Sequence, residues 1–268
     1  MNIGFSTGFL RPDSLETVVK ICRESGISRV ELWEHDGFFA GSVDPLAIRQ
    51  RFDDEEIVVN SVHAPFPEGA LLPPSEKERY LLSFKKACSK GKAYGASYVV
   101  FHPAVIEGER YSGPEKLHSI DRTLLLWKET AKIAGSFGLK TAFENLPRCS
   151  AWPEGLTPVQ ISDLLRSGSI DNSGICLDIS HAFALNISDH IYEILPELDL
   201  LGVHVSDGIK DNRKDRHLPP GEGDLDWERF MKIVTGHHAS ISLIIEVNSP
   251  YLDGVLLGKV ARFLSGKR

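Results

Sequence analysis

Short runs of β-branched and aromatic residues recur along this chain. They are mostly apolar on both faces, and each is followed by a loop and then by a stretch with helical spacing of its apolar positions. Eight runs stand out: Asn2–Ser6, Arg29–Leu32, Val58–His63, Tyr98–His102, Lys140–Glu144, Ser173–Asp178, Leu201–Val205 and Ser242–Val247. Continuous apolarity is how strands read when helices cover a parallel sheet and neither face meets water. Leu15, Val18, Val19 and Cys22 follow the i, i+3, i+4, i+7 spacing of one buried helical face. Asp13 is placed to cap that helix, with Glu16 three residues on and Gly26 to stop it. The pattern predicts longer helices over Ser75–Tyr94 and Pro114–Phe137, with Pro114 suited to a first turn. A helix capped by Asp226 follows over Trp227–Thr235, and a last one runs near Val255–Leu264.

Eight strand–helix units in 268 residues predict an α/β fold, a single (β/α)8 barrel over residues 1–268. The rival, a doubly wound open sheet, usually carries a glycine-rich phosphate turn after its first strand. Ser6-Thr7-Gly8-Phe9 has no such pattern.

Composition narrows the picture. The chain is 42% hydrophobic and 25% charged, which excludes disorder and fibrous classes. Its net charge of −7 argues against gripping nucleic acid by bulk positive charge, but leaves a local basic patch or bound metal ions open. Cys22, Cys88, Cys149 and Cys176 form no CxxC pair and read as buried thiols in a reducing compartment. No basic, then apolar leader opens the sequence, and no apolar run approaches the roughly 18 residues that span a bilayer. The expectation is a cytoplasmic protein without a membrane partner.

The candidate chemistry lies where the runs end. His63 and His102 close the third and fourth, Glu144 the fifth and Asp178 the sixth, with His181 three residues beyond. His204 lies in the seventh run, Asp215 and His217 in its following loop, and Glu246 at the end of the eighth. Taken singly, each reads as a structural histidine, a helix cap or a surface acid. In a barrel all nine converge on one mouth. Carboxylates so close cannot all stay ionised without cations, and no matching set of Lys and Arg sits at the strand ends. Divalent ions fill that role, and His plus carboxylate suits zinc or manganese. His35, His118, His190, His237 and His238 lack partner spacing and read as surface or structural residues.

These residues carry a resemblance. The stretches SVHAPF (Ser61–Phe66), VVFHP (Val99–Pro103), FEN (Phe143–Asn145), LDISHAF (Leu177–Phe183), HVSD (His204–Asp207) and DRHLPPGEGDLDW (Asp215–Trp227) resemble the xylose isomerase-like TIM barrel superfamily. That superfamily contains endonuclease IV and the sugar or sugar-phosphate isomerases and epimerases. Resemblance to the endonuclease IV branch implies two or three zinc ions. His63, His102 and Glu144 would hold one; Glu144, Asp178, His204 and Glu246 a second; and His181, Asp215 and His217 a third. It implies phosphoester hydrolysis, with DNA containing abasic sites as the expected substrate, and Glu144 both bridging metals and orienting the nucleophile. Resemblance to the isomerase branch implies one Mn, Co or Mg ion at Glu144, Asp178, His204 and Glu246. There Glu144 and Glu246 act as acid and base on a sugar, and His181 with Arg213 or Arg216 holds substrate oxygens.

The complete set of nine favours the hydrolase expectation, with the isomerase or epimerase as the alternative. A non-catalytic binder would show a broken set, and none of the nine is missing. Two stretches depart from the endonuclease IV branch. Asn145-Leu146-Pro147-Arg148-Cys149 replaces a glycine-rich segment, and the loop from Trp33 to Phe39 carries acidic residues. Lys210, Arg213, Lys214 and Arg216 form the basic cluster available to a phosphate, while Pro219–Asp224 reads as a rigid turn.

Overall fold

Strands that are apolar on both faces bury themselves most fully when the sheet closes on itself inside a ring of helices. The computed structural model, which describes residues 2–10, 14–34, 44–107, 121–210, 212–248 and 252–266, has that arrangement. Strands β1 (Asn2–Ser6), β2 (Arg29–Trp33), β3 (Val58–His63), β4 (Tyr98–Phe101), β5 (Lys140–Glu144), β6 (Ser173–Asp178), β7 (Leu200–Val205) and β8 (Ser242–Ile245) pair in parallel in chain order. The barrel closes where β1 meets β8, with Asn2 opposite Ser242 and Phe5 opposite Ile245. Every run expected from the sequence is a barrel strand; four match at both ends and the other four differ by one or two residues at one end.

The register slips at two places. Val30 pairs with Val59 but Glu31 with Ser61, so β3 carries one extra residue, Asn60. Ile175 pairs with Leu200 but Cys176 with Gly202, so β7 carries an extra Leu201. Because side chains alternate along a strand, one extra residue changes which of the following ones point inward. The slips therefore set the facing of His63 on β3 and His204 on β7.

The outer helices are α1 (Leu15–Ser25), α2 (Pro45–Asp54), α3 (Lys77–Tyr94), α4 (Asp121–Ser136), α5 (Pro158–Ser167), α6 (Ile179–Ala184), α7 (Ile191–Ile194), α8 (Trp227–His237) and α9 (Gly254–Leu264). Helix α1 buries Val18, Val19, Ile21 and Cys22 and packs beside α9. Its N-cap is Ser14, whose hydroxyl accepts from the Thr17 amide; Asp13, the expected cap, lies outside the described residues. The start expected at Pro114 likewise lies outside them, and α4 is described from Asp121. A small parallel pair, Leu71–Leu72 with Val105–Ile106, ties the loops after β3 and β4 together. The four cysteines are free thiols, and Cys149 is only half-buried rather than buried as expected. Among the described residues, no helix is long and apolar enough to cross a membrane.

Candidate metal centre

The barrel's C-terminal mouth collects all nine side chains. His63, Glu144 and Asp178 are the last residues of β3, β5 and β6; His204 lies within β7; His102 and Glu246 directly follow β4 and β8. His181 is in the first turn of α6, and Asp215 and His217 come from the long loop after β7. Seven of these are buried, while the side chains of His102 and Asp215 keep 15% and 34% of their surface exposed.

Local contacts fix the ligands before any ion is considered. Asp178 caps α6, its Oδ1 accepting from the His181 amide at 2.7 Å. The buried Asn145 side chain grips Asp178 from both sides: its Nδ2 donates to the Asp178 carbonyl at 2.9 Å, and its Oδ1 accepts from the Asp178 amide at 2.8 Å. This clamp joins the end of β5 to the end of β6. Four histidines each have one ring nitrogen against a fixed acceptor. Nδ1 of His63 faces the Ala64 carbonyl at 3.0 Å, Nδ1 of His181 the Asn145 carbonyl at 2.7 Å, and Nδ1 of His217 the Glu246 carbonyl at 3.1 Å. His204 is reversed, with Nε2 against the Glu31 carboxylate and Nδ1 toward the mouth. A histidine held in this way donates through one nitrogen and presents the lone pair of the other.

Those presented atoms converge in three groups. His63, His102 and Glu144 form the first; Glu144, Asp178, His204 and Glu246 the second; and Asp178, His181 and His217 the third, with ligand atoms in each group within 4.8 Å of one another. Asp215, expected in the third set, touches both of its histidines: 3.1 Å from His217 Nε2 and 3.5 Å from His181 Nε2. Glu144 bridges the first two groups. Its Oε2 lies 3.3 Å from His63 Nε2 and 3.2 Å from His102 Nε2, and its Oε1 lies 3.4 Å from His204 Nδ1. Ser180 holds the loop in place, donating to Asp215 Oδ1 at 2.6 Å and accepting from the amides of Arg216 and His217.

The donor set fits a divalent cation. Asp178 Oδ2, in the four-residue group, is buried without a hydrogen-bond partner, and His204 Nδ1 beside it faces the carboxylates of Glu246 and Glu144 at 2.6 and 3.4 Å. A buried oxygen of this kind costs free energy when left unsatisfied, and a cation among these groups satisfies it. In the metal-free protein, protons partly replace the cation. Burial alone would push Glu246 up, but His204 outweighs it and holds the carboxyl at about 2. Burial dominates at Asp178 and raises it to about 6. Burial opposes protonation of His217, yet Asp178 and Asp215 together lift it to about 9. Burial keeps His102 low; it opposes protonation of His181 and His204 too, but Asp178 and Asp215 outweigh it at His181, and Cys176 with Glu246 and Glu31 outweighs it at His204, so both lie above the usual range.

Aromatic rings wall the site. Trp33 stacks on His63 with centroids 4.4 Å apart, Phe66 on His102 at 3.9 Å, and Phe9 tilts toward His217 at 5.1 Å. Gly8 makes room for this wall: a Cβ there would sit 2.4 Å from the Trp33 ring.

Other expectations need correction. Glu34, one of the acidic residues noted in the second loop, has a buried side chain paired with Lys90 at 2.6 Å, and the loop residues 35–39 lie outside the described set. Arg213 and Arg216 are exposed on the loop after β7. With the Asn212 amide turned so that its oxygen faces the guanidinium, Arg216 donates to Asn212 at 2.8 and 3.1 Å. Lys210 pairs with Asp189. The turn Pro219–Asp224 keeps to structural work, because the amides of Gly221 and Leu225 bind the buried Asp207 carboxylate. His190 is exposed beside Glu193, and His238 bonds the Leu195 carbonyl, as expected of structural residues; His35 and His118 lie outside the described residues. Sequence reasoning missed Glu31, Asn145 and Ser180 as supports of the centre.

Comparison with known proteins agrees with this architecture. The chain is 28% identical over 187 residues to the uncharacterized protein MJ1311 of Methanocaldococcus jannaschii, a match covering 68% of this chain and 60% of that protein. The matched region thus spans less than two thirds of that relative. Among solved structures, a D-tagatose 3-epimerase-like protein superposes with a TM-score of 0.79 at 22% identity, covering 99% of this chain and 96% of that one. An L-ribulose 3-epimerase gives 0.78 at 19%, with 99% and 94% covered. The IolI protein, solved with a zinc atom, gives 0.76 at 18%, with 99% and 96% covered. The family model described as xylose isomerase-like TIM barrel matches residues 19–264, and this chain belongs to that family.

Proposed function

We propose that the protein is a divalent-metal-dependent isomerase or epimerase of a sugar-type substrate, with Glu144 and Glu246 as its acid and base. One observation carries this reading. The two carboxylates, from β5 and from the end of β8, approach the same His204 Nδ1 at 3.4 and 2.6 Å and so flank one position in the mouth. A divalent ion held by Glu144, Asp178, His204 and Glu246 would polarise substrate oxygens and acidify the adjacent C–H bond. One glutamate takes the proton from that carbon, and its bonding pair moves into an enediolate. The other returns a proton to the opposite face for epimerisation; for isomerisation the proton goes to the neighbouring carbon while the hydroxyl proton passes from one substrate oxygen to the other. Both carboxyls lie below their usual range in the metal-free protein, Glu144 because His204 and His102 outweigh its burial. Trp33, Phe66 and Phe9 offer apolar faces for sugar C–H groups and keep bulk water from the reacting carbon. The epimerase names of the similar structures support the same class of substrate.

The hydrolase expectation keeps one supporting observation: the groups around His63 and His181 are complete, and a proton transfer at the second group does not need them. Its DNA substrate finds no support in the names of those structures, and the one that names zinc names a single atom. The two readings separate in one experiment. Metal-loaded protein is given a panel of ketoses and ketose phosphates, and in parallel a duplex with an abasic site. The proposal expects an epimer or isomer that disappears with Glu246→Gln, and an intact duplex. Glu144-dependent nicking of the duplex with no sugar conversion would replace it with phosphoester hydrolysis.

A further inference from the structure

Glu31 stands apart from the nine. It lies on β2 and is fully buried. It contacts residues of two strands that do not neighbour each other, Ser61 on β3 and His204 on β7, so its carboxylate reaches across the barrel interior. A buried carboxylate is costly unless specific partners compensate it. The partners here are the Ser61 hydroxyl, donating at 2.7 Å, and His204 Nε2, which lies 3.1 and 3.2 Å from the two carboxylate oxygens. Ser61 is itself held by Asn60 Nδ2 at 3.4 Å, and Asn60 Oδ1 accepts from Ser242 at 2.6 Å. Glu31 is thus anchored from below and aims upward at one ring nitrogen.

The extra residues Asn60 and Leu201 make this meeting possible, since they set the facing of Ser61 on β3 and of His204 on β7. Were the contact only a core filler, an apolar residue of the same volume would serve at lower cost.

We propose that Glu31 is the positioning residue of the metal centre. It holds Nε2–H of His204 and thereby fixes the ring so that the Nδ1 lone pair points at the group formed with Glu144, Asp178 and Glu246. An imidazole without this partner could turn about its χ2 torsion or carry its proton on Nδ1, and either change removes a ligand. The inference rests on that group holding a divalent ion, and is independent of the reaction.

The test is metal affinity. Chelator-stripped protein is titrated with Zn2+ against a chromophoric chelator, and the Co2+-loaded form is read by its visible absorption bands. Glu31→Gln is expected to weaken Zn2+ binding by about ten- to a hundredfold and to alter the Co2+ bands, while the far-UV circular dichroism of the stripped protein stays that of the folded chain. Ser61→Ala, which only loosens the anchor of Glu31, is expected to give a smaller loss in the same direction and guards against a Glu31 variant that fails to fold. His204→Ala is the reference. If it weakens binding while Glu31→Gln and Ser61→Ala leave the affinity and the Co2+ bands as in the unaltered protein, the positioning role is overturned. If His204→Ala also leaves affinity unchanged, the metal group itself is wrong and the proposal falls with it.

Discussion

Asp207→Asn is an atom-for-atom change whose cost can be worked from the hydrogen bonds of Asp207. The residue follows His204 by three positions, and its carboxylate is fully buried. Oδ1 accepts from the amides of Gly208 at 2.9 Å and Leu225 at 3.1 Å; Oδ2 accepts from the Gly221 amide at 3.0 Å and the Trp227 indole at 2.8 Å. Four donors and no acceptors surround it, which only an acceptor with two oxygens can satisfy. Asp207→Asn keeps one oxygen and turns an NH2 group toward two N–H donors. Two charge-assisted bonds are lost at about 1.5–3 kcal/mol each, and the donors left facing each other stay buried, so the loss is about 3–6 kcal/mol. The bonds span both ends of the loop that carries Asp215 and His217, so this loop loosens first. Urea unfolding followed by circular dichroism measures the global loss, and hydrogen exchange of the Gly221 and Leu225 amides localises it. A change below about 1 kcal/mol, with those amides still protected, would refute this account of the loop.

Three further outcomes follow from the same structure. In the metal-free protein His217 is raised to about 9, burial being outweighed by Asp178 and Asp215, so its contribution is complete below about pH 6.5 and lost as pH climbs through 9; Asp178, raised to about 6 by burial, loses its own contribution below that window, as pH rises from its ordinary value to about 6. Chelator-treated protein should therefore melt at falling temperature from pH 6.5 to 9, while the metal-loaded form, whose ligated imidazoles carry no such proton, holds level; melts at three pH values with and without chelator check this, and parallel curves would contradict it. Gly8→Ala should reduce turnover rather than fold the chain differently, because the new methyl displaces the Trp33 ring from His63; a turnover equal to that of the unaltered protein would show the wall to be idle. Glu144→Gln should weaken metal binding at both groups it joins, whereas Glu246→Gln should affect one, a difference read by metal titration of each variant.

The strands were legible because burial on both faces leaves an unbroken apolar run, and the mouth was legible because a parallel barrel sends every strand end to the same side. All nine candidate ligands meet there for that reason. What the residues alone do not display are pairings across the barrel. Glu31 reads as one acid inside RVEL, and its partner His204 is 173 positions away. Asn145 and Ser180 lie within the recognised stretches, but their clamping roles depend on hydrogen bonds that have no sequence period. Helix α5 did carry a signal, a full capping box between Thr157 and Gln160 with Pro158 in the first turn, and was overlooked. Helix α2 buries only Ile48 and Phe52, too few for a periodic stripe. The Glu34 side chain reads as a loop acid until Lys90, reaching from α3, closes on it.

The proposed function requires a divalent ion at Glu144, Asp178, His204 and Glu246. Of these, Glu246 belongs to no other group, so Glu246→Ala removes that ion's ligand alone. Elemental analysis of protein purified without chelator should find at least about one equivalent of a divalent metal per chain, and Glu246→Ala should contain about one equivalent less. A metal-free protein, or a Glu246→Ala variant with the same content as the unaltered chain, would contradict it.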